Sequence, residues 1–446
     1  MLISTEFTPW TLFTDFGFIS LLLLIGKYLR VRVKWIQKLF IPPSLIAGLL
    51  GLALGPNGLG WIPFSSYLSE YSAILIALVF GALPLSSPKI KMKTITGKVG
   101  SMWAYAQLGF LLQWALVGLF GVFVINAIWP ELPTAFGIML PTGFYGGHGT
   151  AAAIGAAFKD MGWEDASSLA MTTATIGIMC SIFGGLVMIK WAAKNRHTAF
   201  ISDFHDLPHE MRSGLVPKGK RDSLGEATTS SISIESLTLH ISIIAVIAFL
   251  GYLVCKSVKL YLPLLEIPVF SCAFIIGLLL KQAFDLTNVT HYINIDTTQR
   301  LSSSFTDLLV AFGVASIKLG VVIHYAYPLL LLIVGGVTLV ALITFYLGKK
   351  LSQSYWFERT IFAWGWWTGT MAMGIALLRI VDPKQASKAM DDYAIAYLPI
   401  APVEILLITF APVLFIHGYG TELLLGCLTI SLCIVLFSVK MKWWQK

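Results

Sequence analysis

The sequence predicts an all-α polytopic membrane protein, and three observations carry that expectation. Hydrophobic residues make up 57% of the 446-residue chain and charged residues only 12%, against roughly 25% charge in an average soluble domain. The apolar residues fall in blocks of about 16–25, the length at which a helix covers ~30 Å of hydrocarbon. The ~10-residue alternating segments of a transmembrane barrel are absent, and a strand with an unpaired edge cannot stand in lipid.

The net charge of +8 does not point to nucleic acid. Lys and Arg sit at the ends of apolar blocks, as membrane flanks do, so the expected surroundings are a lipid bilayer. Cys180, Cys255, Cys272, Cys427 and Cys433 all lie within apolar segments and show no paired spacing. Neither a disulfide framework nor a zinc site is indicated, and no cofactor is expected. Residues 1–15 hold Glu6 and Asp15 and no basic residue, and Lys27 and Arg30 follow the first apolar block where a secretory signal would have a small-residue cleavage site. That block reads as a helix that stays.

Apolar blocks lie near 14–33, 40–56, 71–88, 100–128, 135–158, 166–190, 236–257, 264–282, 302–320, 326–348, 360–380, 391–417 and 419–440. If all cross, the charges conflict. Lys27, Arg30, Arg32, Lys34 and Lys38 place the first connection in the cytoplasm, and Lys89, Lys91, Lys93 and Lys98 place the third there too. Simple alternation then puts the loop with Lys194, Arg196, Arg212, Lys218, Lys220 and Arg221 outside, against the positive-inside rule.

Two segments resolve the conflict by not crossing. In 135–158, Pro141, Gly143, Gly146, Gly147 and Gly149 break a helix in its middle. Broken backbone at membrane depth is tolerated only where protein or a watery cavity covers it, so 135–158 is expected to be a re-entrant hairpin. Block 360–380 is a second one, because Arg359, Arg379, Lys384 and Lys388 want the same side. With both re-entrant, 27 of the 31 basic residues fall on the cytoplasmic side, all but Lys159, Lys256, Lys259 and Lys318. About 11 crossing helices remain, in an inner or plasma membrane, with the N-terminus outside and the C-terminus in the cytoplasm.

The two halves correspond. IPPSLIAGLLGL (41–52) matches IPVFSCAFIIGL (267–278), with Gly51 on Gly277; 77–82 matches 309–314; Gly149-Thr150 matches Gly369-Thr370. The offsets of 226, 232 and 220 residues keep the same order. One half starts outside and the other inside, so two inverted-topology repeats are expected, over 1–192 and 236–418. A polar cytoplasmic linker, 193–235, joins them, and 419–446 is an appended helix. Inverted repeats with paired interrupted segments are the mark of a secondary transporter with a midplane site. An intramembrane enzyme would need a catalytic constellation, which a lone His148 does not make, and a sensor would need a signalling domain. Paired inverted hairpins favour a gated carrier over a channel.

The expected site is Gly146, Gly147, His148, Gly149 and Thr150 of the first hairpin with Thr368, Gly369 and Thr370 of the second. Free N–H groups at a helix start favour an anion, while unwound carbonyls facing them can take a dehydrated Na⁺. Close packing of small residues is the bland alternative. His148 is a proton site, a substrate donor or a packing residue; a metal role needs further ligands at helical spacing, and none is present. Intramembrane carboxylates are functional candidates, so Asp307 and Glu404, with Thr142, are the cation-binding candidates; interface capping is the equal alternative for Asp307. Thr172, Thr173 and Thr175 offer hydroxyls beside the first hairpin, although back-bonding to their own helix is their common use. Arg379 can pair a substrate carboxylate or snorkel near Asp382.

GGHGTAAAIGAAF (146–158) resembles the first re-entrant motif of the bacterial sodium/glutamate symporters, the ESS family, and a looser similarity extends over most of the chain. The resemblance implies Na⁺-driven uptake of L-glutamate, two inverted domains and re-entrant loops that meet on the substrate path. A homodimer is expected. The second motif departs from the family: typical members carry Thr-Pro-Thr there, whereas 365–374 reads GWWTGTMAMG. Carriage of another small organic anion, such as aspartate or a hydroxycarboxylate, coupled to Na⁺ or H⁺, stays open.

Overall fold

A computed structural model describes residues 7–39, 41–86, 100–200, 213–221, 223–261, 267–352, 354–382, 386–397 and 399–444. Glu6, Lys89, Lys91, Lys93, Lys98, Arg212 and Lys384, used above, lie outside them. The described residues are helical with no strand. The principal helices are α1 (Pro9–Arg32), α2 (Pro43–Leu54), α3 (Leu68–Ser86), α4 (Gly100–Ile128), α5 (Thr134–Phe144), α6 (Gly147–Asp160), α7 (Ala166–Lys194), α8 (Ser236–Tyr261), α9 (Val269–Leu286) and α10 (Ile295–Ala315). They continue with α11 (Ala326–Leu351), α12 (Trp356–Thr368), α13 (Met371–Val381), α14 (Ala389–Ala396), α15 (Ile400–Ile416) and α16 (Gly420–Lys440).

Eight of these are long and apolar enough to cross a membrane: α1, α3, α4, α7, α8, α9, α11 and α16. The other three expected to cross are α2 and α15, which are short, and α10, whose 21 residues carry Asp296, Arg300 and Asp307. The block 391–417 is not one helix, in contrast to its uniform hydrophobicity. It divides into α14 and α15 around Pro399, because proline lacks the N–H that would continue the helix and clashes with the preceding turn. The described part of 193–235 is largely irregular, with one short turn of helix at Lys218–Lys220.

Two compact units divide the chain. The first takes Met1–Gly26, Pro43–Lys89 and Val216–Ser316; the second takes Lys27–Pro42, Ile90–Leu215 and Ile317–Lys446. Each draws on both halves of the sequence. In the first unit α3 and α10 pack along each other, α2 lies on α10 and α9 lies on α3. Gly51 faces Ala315 and Gly277 faces the Gly81 carbonyl, so the two matched glycines each sit on the opposite half's helix. A core of Ile19, Leu22, Ala47, Phe64, Leu68, Tyr71, Ala311 and Phe312 fills the interior. Asp15 is buried there, accepting from the Ser65 N–H at 3.0 Å, the Ser65 hydroxyl, and the Tyr71 hydroxyl at 3.0 Å.

In the second unit α7 is a spine with two helix pairs against it. Thr173 Oγ1 donates to the Met139 carbonyl at 2.7 Å, and Phe144 lies beside Gly177. His148 then meets Thr175, and Gly155 meets Ser167. So α5 runs parallel to α7 and α6 runs back antiparallel, with the reversal at Tyr145–Gly146. The second pair reverses at Gly369–Thr370, since Gly365 and Phe362 of α12 both lie against Gly374 of α13. Both reversals fall where the glycines predict a break.

Candidate functional site

The two reversals meet in the second unit. Gly147 takes a left-handed backbone, φ +59°, and a Cβ placed on it would stand 3.0 Å from the Gly369 carbonyl oxygen and 3.2 Å from Thr370 Cγ2. Left-handed backbone costs a side-chain-bearing residue roughly 1–2 kcal/mol, and here the space is taken as well. Glycine is required on both counts. α7 holds the second pair in place: Ser181 Oγ donates to the Gly365 carbonyl, and Trp364 Nε1 to the Ser181 carbonyl, each at 3.1 Å. Gly177 lies directly under the Thr368 carbonyl.

Most of the expected residues gather here. Gly146 precedes α6, while Gly147, His148, Gly149 and Thr150 form its first turn. Thr368 ends α12 and bonds its own helix at Trp364, 2.7 Å away. Thr370 caps α13, accepting from the Met373 N–H at 3.4 Å. Thr142 lies in α5, fully buried. Arg379 stands in the last turn of α13, eight residues past its start at Met371, roughly 12 Å along the axis at 1.5 Å per residue. Asp307 belongs to the first unit, on an exposed face of α10 beside Ser44. Glu404, half-buried on α15, belongs to the second unit and accepts from Tyr397 Oη at 2.8 Å. The structure therefore does not bring the two candidate carboxylates into one compact unit.

The polar atoms at the reversals are incompletely partnered. Thr175 Oγ1 donates its one proton to the Met171 carbonyl at 2.9 Å, so its 3.1 Å contact with His148 Nε2 requires the imidazole to donate. In the neutral ring Nδ1 is then a bare acceptor, buried and without a protein partner. Thr142 Oγ1 is likewise buried and unpartnered, and so is Gln113 Oε1. The Gln113 side chain reaches the second pair: its Nε2 donates to the Trp367 carbonyl at 3.2 Å. A carbonyl can only accept, so the amide orientation is fixed and Oε1 is left over. Each buried orphan costs about 1–3 kcal/mol. Left empty, each calls for an explanation, an absent occupant among them.

Sequence reasoning misses two further features. Gln113 is a lone amide in the apolar block 100–128, a signal that is present but faint. A row of rings also leads away from the reversal. Tyr145 lies 5.9 Å from Trp366 and its hydroxyl is 3.4 Å from that of Tyr393; Trp366 lies 5.1 Å from Tyr397, which bonds Glu404. The two tryptophans that depart from the family's second motif both pack on aromatic rings of the first half: Trp366 on Tyr145 in this row, and Trp367 against Tyr105 at 4.8 Å. Among the described residues no three His, Cys, Asp or Glu side chains gather to hold a metal.

Comparison with known proteins settles the class. The sodium/glutamate symporter family profile matches residues 12–366. The chain is a member of the sodium/glutamate symporter family. It is therefore a multi-pass membrane protein and a Na⁺-coupled secondary transporter, from a family of carriers and not of enzymes. No curated protein matches it. Among solved structures the sodium proton antiporter MjNhaP1 of Methanocaldococcus jannaschii is similar, at 18% identity over 94% of this chain and 99% of that one, with a TM-score of 0.36.

Proposed function

We propose that this family member imports L-glutamate with Na⁺ by alternating access, and that the meeting point of the two helix reversals is the transport site. The observation that carries the proposal is the cluster of buried, unpartnered polar atoms, Thr142 Oγ1, His148 Nδ1 and Gln113 Oε1, around reversals that touch at Gly147 and Gly369. The starts of α6 and α13 offer free N–H groups to the substrate carboxylates, and the bare acceptor on His148 suits the substrate ammonium. Thr142 and Glu404 are the cation candidates of this unit. Asp307 stays a candidate for a second cation, one outside the reversals.

The two pairs act as re-entrant hairpins entered from opposite faces, within inverted repeats spanning 1–192 and 236–418. The exchanged packing of α2 on α10 and α9 on α3 supports this, because repeat-related contacts come in such pairs. The orientation remains N-terminus outside and C-terminus inside the inner or plasma membrane, and the assembly expected is a homodimer. One inward positive charge is worth ~2.3 kcal/mol per 100 mV, so a glutamate anion must travel with more than one Na⁺ for the membrane potential to drive it.

The test is uptake into proteoliposomes of labelled glutamate, aspartate and citrate under imposed Na⁺, Li⁺ or H⁺ gradients. Glutamate should accumulate with Na⁺ alone. Preference for a hydroxycarboxylate would move the substrate assignment to the altered second motif, and no Na⁺-dependent accumulation of any of the three would sink the proposal.

A further inference from the structure

Helix α4 contains two π-turns, Gln113–Val117 and Gly121–Ile125. Such turns widen a helix locally and recur at functional positions. The first π-turn packs against α5, and the register between the two helices is readable. The Phe110 and Tyr145 rings lie 4.8 Å apart, tilted at 54°. A Cβ on Gly137 would stand 2.9 Å from the Gly118 carbonyl and close upon Gly121. These contacts describe antiparallel helices in which Gln113 is level with Thr142. Each of the two brings a fully buried oxygen with no protein partner.

We propose that Gln113 Oε1 and Thr142 Oγ1 together form a coupling-cation site, with Gln113 as a Na⁺ ligand that also holds the second hairpin through the Trp367 carbonyl. The assignment rests on the reading of the reversals as the transport site and adds to it the place and chemistry of one ion. Both atoms are neutral oxygens, so the pair suits a monovalent cation; Ca²⁺ and Mg²⁺ draw on carboxylates. A primary ammonium brings its carbon skeleton with it. The helices α4 and α5 come glycine to glycine at 118–121 and 137, one to two turns away, and a small bare ion is the occupant proposed between them. The linkage has a consequence. An ion drawn onto Oε1 fixes the same side chain whose amide holds Trp367, two residues before Gly369 of the second reversal. Na⁺ binding is thereby tied to the geometry of the substrate site.

The test compares wild type with Thr142→Val, Thr142→Ser, Gln113→Leu and Gln113→Asn in proteoliposomes, varying Na⁺ at fixed glutamate and glutamate at saturating Na⁺. Thr142→Val and Gln113→Leu should raise the half-saturating Na⁺ about tenfold; Thr142→Val should leave the glutamate KM at saturating Na⁺ within about twofold, while Gln113→Leu, which also loses the bond to the Trp367 carbonyl, should raise it. Thr142→Ser should stay near wild type. A second readout needs no transport: Na⁺ added without glutamate should raise the thermal unfolding temperature of the detergent-solubilised wild type, while Li⁺ raises it less and choline not at all. That increment should vanish in Thr142→Val and shrink in Gln113→Asn. If wild type is Na⁺-dependent but these variants keep its Na⁺ dependence and thermal increment, the site is elsewhere. A change confined to the glutamate KM would make the pair a substrate contact and overturn the ion assignment. A wild type with no Na⁺ dependence would fail the transport reading itself.

Discussion

Two buried polar clusters in this carrier are built on opposite principles. In the first unit, Asp15 accepts from three donors on Ser65 and Tyr71, and the cluster is complete without a ligand. In the second, Thr142, His148 and Gln113 each keep a buried atom that no protein group satisfies. The first arrangement lowers the free energy of the folded chain. The second raises it by the desolvation of three groups, a cost that the proposed ligands would offset on binding. Burial and polarity are alike in the two; the unfilled hydrogen bonds are the difference.

The largest effect expected on that contrast is in stability. Asp15→Ala strands three donors, and since hydrogen bonds to a charged group are worth about 1.5–3 kcal/mol each, unfolding in detergent should become easier by about 3 kcal/mol or more. The surviving carrier should keep the wild-type glutamate KM and Na⁺ dependence; altered coupling in a stable variant would make Asp15 functional. Gly147→Ala should act the other way round. The φ of +59° adds about 1–2 kcal/mol of strain, and the new methyl pushes on the Gly369 carbonyl, so maximal uptake should fall about tenfold while most of the protein remains folded. Normal uptake would show that the reversals need not touch.

His148→Phe is subtler. Folding already bears the cost of the empty Nδ1, so the unfolding free energy should change by less than about 1 kcal/mol, but the glutamate KM should rise about tenfold, or about 1.4 kcal/mol. A large stability loss with unchanged KM would make the histidine a packing residue. Glu404→Gln has the smallest expected effect, because the amide oxygen can still accept from Tyr397. Stability should hold, and the response of uptake to an imposed potential should change, since a charge that moves through the field is worth ~2.3 kcal/mol per 100 mV. An unchanged response would remove Glu404 from coupling.

Both reversals are legible in the sequence because glycine, joined by proline in the first, interrupts otherwise apolar runs. Their limits are less so. The second pair starts at Trp356 rather than 360, where Tyr355 takes a left-handed backbone, and side-chain type does not announce that. Hydrophobicity likewise runs α14 and α15 together, although Pro399 stands in plain sight. What the sequence hides is long-range pairing. Asp15 looks like a flank charge until Ser65 is placed on it, and Gln113 is one amide among apolar neighbours until Trp367, 254 positions away, meets it. Tyr145, Trp366, Tyr393 and Tyr397 pass for packing until their contacts lead to Glu404.

The most direct test of the central claim is substrate protection at the two reversals. With Cys180, Cys255, Cys272, Cys427 and Cys433 replaced, single cysteines at Gly149 and Thr370 would be reacted with an impermeant maleimide from each face of oriented vesicles. Saturating glutamate with Na⁺ should slow labelling at both positions, with Gly149→Cys reached from outside and Thr370→Cys from inside, and neither ligand alone should protect fully. Labelling indifferent to glutamate and Na⁺, or confined to one face for both positions, would contradict a transport site where the hairpins meet.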